Sequence, residues 1–193
     1  YIKGGLLFFF WVVSVFSVET TNAQEKTSNN DVWFHYFGKN MLVEKFSFSF
    51  EATMRYANGL SEKQQYFVRP SFDYQFTKKF MGSVGYSHYL TYSYGDPSLT
   101  EIPIPENHFW IQGTFLHSHK ELKISHRLRD EFRFVGVASM NSEGNLEVMD
   151  YEYRNRLRYM LMFNYPVLKQ NESTKLFAML GDEVFMNIGS NAG

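Results

Sequence analysis

The sequence predicts an all-β protein, an antiparallel up-and-down transmembrane β-barrel, and three observations predict it. Long segments alternate apolar and polar residues with a period of two, which gives a strand two unlike faces. The apolar faces are crowded with aromatic side chains, which make up 19% of the chain, while the polar faces carry arginine and glutamate. The connections switch between short turns and longer polar loops.

Taken in order, the first element is an address. Lys3 gives a basic start, Gly4 to Val18 (GGLLFFFWVVSVFSV) is a 15-residue apolar run, and Thr21 and Ala23 are the small residues of a cleavage site. This is the plan of a secretory signal peptide over 1–23, cut after Ala23, and it leaves 24–193 as the barrel domain. A permanent helical anchor needs about 20 apolar residues, more than this run supplies. The chain begins at Tyr1 rather than Met, so its extreme N-terminus is expected to be missing. The absence of cysteine rules out disulfide frameworks, thiolate zinc sites and thiol nucleophiles. Export without cysteine points to a Gram-negative bacterial envelope. The 19 Lys and Arg against 20 Asp and Glu argue against a nucleic-acid partner. A mean hydropathy of −0.34 is too polar for a helical polytopic membrane protein.

The clearest strand is 45–56 (KFSFSFEATMRY). Phe46, Phe48, Phe50, Ala52, Met54 and Tyr56 form one face, and Lys45, Ser47, Ser49, Glu51, Thr53 and Arg55 the other. Segments 122–134 and 151–165 repeat the plan with arginine-rich polar faces, and noisier runs occupy 31–37, 64–76, 82–94, 107–116 and 175–187. That makes about eight strands. Most exceed the usual 5–6 residues and suit the 9–11 that cross a bilayer. Short turns are expected near 77–79, 117–121 and 166–174, and longer loops at 57–63, 95–106 and 135–150. The last two loops are acidic and the short turns lean basic. A barrel with a periplasmic N-terminus sends its first strand outward, which would put the short turns outside, the reverse of the usual plan. An extra strand, a miscounted hairpin or an N-terminal segment threading the barrel would each repair this.

The competing fold is a secreted soluble β-sandwich acting as a binding module. Its strands also alternate, but near-continuous large aromatics are hard to fit into a core about 10 Å thick.

The runs HRLRDEFRF (126–134), YRNRLRYML (153–161) and GDEVF (181–185), with Trp33 and the GYS at 85–87, resemble an uncharacterised outer-membrane barrel family, domain of unknown function 2490. The resemblance covers about 31–193. It implies a barrel in the bacterial outer membrane, with lipid and lipopolysaccharide around it and the barrel-assembly machinery as a partner. It brings no activity, ligand or catalytic residue. Members of the family continue past the DEVF segment with further strands, so the resemblance also implies truncation at the C-terminus and ten or more strands in the intact protein.

If the charged faces point inward, the lumen holds Lys45, Arg55, Arg69, Lys123, Arg127, Arg129, Arg133, Arg154, Arg156 and Arg158 against Glu51, Asp73, Glu131, Glu152 and Glu183. Arginine suits this place because its planar fork binds carboxylates bidentately and stays charged when dehydrated. Such a network acts either as a side-chain plug bracing opposite walls or as a narrow pore or pocket for a small anionic solute. An open channel of porin type needs about 16 strands.

His126, Asp130 and Asp182 fall on the lipid-facing side of their strands, and pairing of 122–134 with 151–165 would bring Asp130 near Asn155. They are read as residues at headgroup height, or turned inward by a bulge. A lipid-modifying barrel enzyme is the alternative, but it needs a nearby serine nucleophile, and Ser125 points to the other face. His117 and His119 are read as turn residues, since two ligands make no metal site. The sequon at Asn171 carries little meaning in a bacterial envelope. Neither an enzyme nor a cofactor is therefore expected, and the function predicted is structural or solute-handling.

Overall fold

A computed structural model describes residues 30–95, 98, 100–170 and 173–189. The segment read as a signal peptide and the asparagine of the sequon lie outside the described residues. Eight antiparallel strands follow one another in a single meandering sheet: β1 (Val32–Val43), β2 (Phe46–Ala57), β3 (Glu62–Gln75), β4 (Phe80–Thr91), β5 (Ile104–His119), β6 (Leu122–Met140), β7 (Leu146–Gln170) and β8 (Ser173–Ile188). Among the described residues the only helical element is one 3-10 turn at Asn58–Leu60. The sheet curls into a half-barrel. Among the described residues no pairing joins β1 to β8, so closure into a full cylinder stays an expectation.

The alternation read from the sequence becomes a sidedness of the wall. On β2, Ser47, Ser49 and Thr53 are buried on the inner face. The phenylalanines between them join a lateral layer of rings outside, with Phe46 stacked on Phe72 at 5.6 Å. The outer layer continues around the curl: Phe109 meets Phe134 edge-on at 6.4 Å, and Phe134 meets Tyr153 at 5.6 Å. At mid-height Val84 is 55% exposed on this face. The inner face inverts the usual rule that charges stay in water, since Glu131 is 0% exposed and Arg129 and His108 are buried with it.

Size is matched across the interior. Many inner positions of β2 to β4 are small (Ser47, Ser49, Ser71, Ser83, Gly85 and Ser87), whereas β6 and β7 project long arginines. Small residues on one wall give the guanidinium groups of the other wall room to fold over. Gly85 has a second reason. The Trp110 indole lies directly on it across the β4–β5 pair, in the space a Cβ would occupy. The β3–β4 ladder breaks at Arg69 and Pro70, where proline brings no N–H to donate.

Several boundaries differ from the sequence reading. The region 135–150 is mostly strand, with a connection only at 141–145, the loop expected at 57–63 shrinks to 58–61, and β5 begins at Ile104 rather than 107. The longest connection is 92–103. His117 and His119 belong to β5 and not to a turn. The 141–145 turn is held by Asn141 Oδ1, which accepts the N–H groups of Glu143 and Asn145 at 2.9 Å each, and by Gly144 at φ 80°.

The strand ends are staggered on one side. A row running straight across the sheet passes through Phe46, Tyr74, Gly82, Gly113, Leu128, Tyr159 and Val184. Beneath that row β2 begins at once, β5 continues to His119, and β7 continues to Gln170. The turns on this side carry Lys45, Lys78, Lys79 and Lys120. The connections 58–61, 92–103 and 141–145 on the opposite side contain no Lys or Arg.

Candidate functional site

The inner charges gather because the β6–β7 register sets like phases face to face. Glu131 lies opposite Arg156, and Arg129 opposite Arg158, so alternate residues of two neighbouring strands project side by side into the lumen. Glu131 Oε2 accepts from Arg156 Nε at 2.8 Å and pairs with its Nη2 at 2.7 Å. Its Oε1 accepts from Arg158 Nη1 at 3.2 Å and stands 3.7 Å from Arg129 Nη1. Arg127, Met160 and Glu183 form one row across β6, β7 and β8, and Arg127 reaches past the methionine to donate to Glu183 Oε1 at 2.6 Å. Arg158 also donates to Glu183, which makes it the link between the two carboxylates.

A second group lies on the facing wall. Arg69 donates to Glu51 Oε2 at 2.8 Å, to Ser87 Oγ at 3.1 Å and to the Tyr89 hydroxyl. Ser87 Oγ also accepts from the Trp110 indole N–H at 3.0 Å. The Arg129 guanidinium rests on the Trp110 ring, 4.3 Å from its centroid, and donates from Nε to Gln112 Oε1 at 2.8 Å. A cation over an indole face with little water nearby is favourable by about 2 kcal/mol. Asp73 accepts from Ser49 at 2.6 Å and pairs with Lys39 at 3.2 Å.

A third group sits toward the acidic rim. Glu106 accepts from Arg133 Nε and lies 2.6 Å from His108 Nε2, while the His108 ring lies tilted against Tyr89 at 4.6 Å.

Of the residues singled out in the sequence, Arg127, Arg129, Glu131, Arg156, Arg158 and Glu183 form one continuous network. Arg69 and Arg133 belong to the neighbouring groups. Arg154 and Glu152 pair with each other at 2.6 Å but are 44% and 35% exposed, a surface pair outside the network. Among the described residues Arg55 has no carboxylate partner: its guanidinium packs over Trp33 at 4.4 Å. Sequence reading missed Glu106, His108, Trp110 and Gln112. The signal is present, because these four keep the two-residue phase of Thr114, but the loop expected at 95–106 takes in Glu106 and the run 107–116 alternates too weakly to assign its faces.

The outward polar residues stay outward, and each finds a local partner. Asp130 accepts from Asn155 Nδ2 at 2.7 Å, the neighbour expected from the pairing of their strands. His126 Nδ1 lies 2.7 Å from the Tyr159 hydroxyl, and Asp182 accepts the N–H of Glu183 at 2.9 Å. Ser125 faces Met162 on the inner side, away from all three. Among the described residues no group of three or more His, Asp or Glu is placed to hold a metal ion.

Between the two inner walls lies a cavity of about 190 Å³, bordered by Lys39, Glu51, Arg69, Asp73, Arg127 and Arg129, with Trp110 and Gln112 at its side. The chemistry available here is electrostatic: bracing one wall against another, or holding an anion. No curated protein and no solved structure matches the chain. A family model described as a protein of unknown function, DUF2490, matches residues 30–193. An eight-stranded half-barrel with an arginine–glutamate interior is thus the form this chain gives to the DUF2490 family, to which it belongs.

Proposed function

We propose that the protein is exported and resides as a β-barrel in the outer membrane of a Gram-negative bacterium, where it is structural or solute-handling and performs no covalent chemistry. One observation carries this reading: the apolar and aromatic side chains are exposed on the outer face, while carboxylates and guanidinium groups are buried within. A soluble protein with this surface would aggregate, whereas hydrocarbon accepts it. Strand length supports the same reading. Twelve residues at about 3.3 Å, tilted by roughly 40–45°, span about 30 Å, the thickness of a hydrocarbon core. No helix among the described residues is long and apolar enough to cross a membrane, so the crossing would fall to the strands.

The alternatives fare less well. A sandwich needs a second sheet, and the eight strands form one. A lipid-modifying enzyme needs a nucleophile beside Asp130 or His126, and Ser125 lies on the opposite face. The interior network is best read as a brace: two carboxylates tie together guanidinium groups from β6 and β7 and connect them to β8. Lipopolysaccharide and phospholipid would surround the wall, and the barrel-assembly machinery would insert it.

The test is fractionation of the native host combined with gel mobility. The protein is expected in the detergent-extracted outer-membrane fraction, migrating faster unheated than boiled. Recovery as a soluble periplasmic or secreted protein with no heat-dependent mobility would overturn the proposal.

A further inference from the structure

We infer that the interior cavity is a binding site for a small oxyanion, a carboxylate or a phosphate, held by Arg127 and Arg129; this deepens the solute-handling side of the barrel reading and rests on it. The argument begins with charge. Four guanidinium groups (Arg127, Arg129, Arg156 and Arg158) share two carboxylates, Glu131 and Glu183, which leaves two positive charges uncompensated on this wall. Burying an unbalanced charge is costly, and a bound anion is the direct remedy.

Donor geometry locates the excess. The Arg129 side chain is 6% exposed, and its Nη1 has no hydrogen-bond partner among the described residues, since Glu131 stands 3.7 Å away. Arg127 spends Nη2 on Glu183, while its buried Nε has no partner among the described residues. Both side chains border the cavity. The carboxylates on the opposite border are already engaged, Glu51 by Arg69 and Asp73 by Lys39 and Ser49, so they do not neutralise the arginine side. A space of 190 Å³ holds several waters, each filling about 30 Å³ of liquid, and therefore one phosphate or a short carboxylic acid. The planar guanidinium fork presents two parallel N–H groups, which suits either oxyanion.

The experiment uses the full chain purified in detergent and verified as folded by its heat-dependent mobility. Calorimetric titration at fixed ionic strength takes inorganic phosphate in one arm and succinate in the other, with choline chloride as the cationic control. Saturable binding of phosphate, succinate or both supports the inference, and the stronger arm names the ligand class. Arg129→Gln is expected to weaken binding about ten- to hundredfold, the loss of one charge-assisted hydrogen bond. Arg127→Gln, at a more exposed position, is expected to weaken it about tenfold and serves where the first variant does not fold. Quenching of Trp110 fluorescence on binding, absent in Trp110→Phe, places the anion beside Arg129. A folded sample that binds neither anion overturns the inference and leaves the barrel reading standing. A sample without the mobility shift overturns both.

Discussion

Glu131 is where the interior network is most vulnerable. Its carboxylate is fully buried and meets Arg156 through two nitrogens within 2.8 Å, Arg158 at 3.2 Å and Arg129 at 3.7 Å. Glu131→Gln preserves the shape but replaces one oxygen with an NH₂ that points donor to donor at arginine, and it strips the charge. Among the described residues Arg129 and Arg156 are then left without a carboxylate, while Arg158 still shares Glu183 with Arg127. Removing one partner of a buried ion pair costs about 3–5 kcal/mol, because the surviving charges remain desolvated. With a urea dependence of about 2 kcal/mol per molar, this moves the unfolding midpoint down by roughly 2 M. The assay is loss of the fast-migrating folded band across a urea series. Glu152→Gln is the control, since the Arg154–Glu152 pair is exposed and worth under about 1 kcal/mol. Equal midpoints for the two variants would refute the claim that buried charge braces this wall.

Other perturbations test other parts of the molecule. Gly85→Ala drives a methyl group into the Trp110 indole and is expected to cost about 1–3 kcal/mol, read from the same urea midpoint; an unchanged midpoint would mean the ring does not rest there. Val84→Arg and Ile111→Arg, neighbours on the outer face, are expected to cost about 2–4 kcal/mol each in lipid, against under about 0.5 kcal/mol for a face bathed in water. A tolerated arginine at both positions would argue against hydrocarbon outside. The cysteine-free chain permits single-site labelling: of Ser142→Cys and Lys78→Cys, one is expected to react with an impermeant maleimide in intact cells and the other only after permeabilisation. Reaction of both in intact cells would exclude a membrane crossing between them.

Much of this could be read in advance where physics writes a strong alternation. On β2, β6 and β7 one face meets a charged interior and the other an apolar exterior, so KFSFSFEATMRY and HRLRDEFRF declare both the strand and its sides. The pairing of Asp130 with Asn155 follows from register once those strands are adjacent. The signal fades where the two faces stop differing. The ends of β6 and β7, VGVASM and LEVMD, lack a regular charged phase, so segments that are strand read as a loop. Aromatic rings mislead in another way, because composition does not distinguish a ring facing lipid from one supporting a cation. Phe67, Tyr89 and Trp110 are buried inside, each under or beside an arginine, and the exposed Trp33 lies under Arg55. Arg55 shows the limit of counting charges: its partner is a π face rather than a carboxylate.

The stepped strand ends carry one more consequence. From β2 to β8 the ends descend by about eleven residues of ~3.3 Å over six lateral spacings of ~4.8 Å, a slope of roughly 50°. Lean the strands by about that much, near the ~35–45° of closed barrels, and the steps vanish. Lys45, Lys79, Lys120 and Lys169 then come level as a single girdle, at a height where phosphate headgroups would meet them. The same lean lifts the far tip of the β6–β7 hairpin, with Glu143, about 20 Å above the β2–β3 corner, so that the opposite mouth is cut obliquely, like the end of a quill.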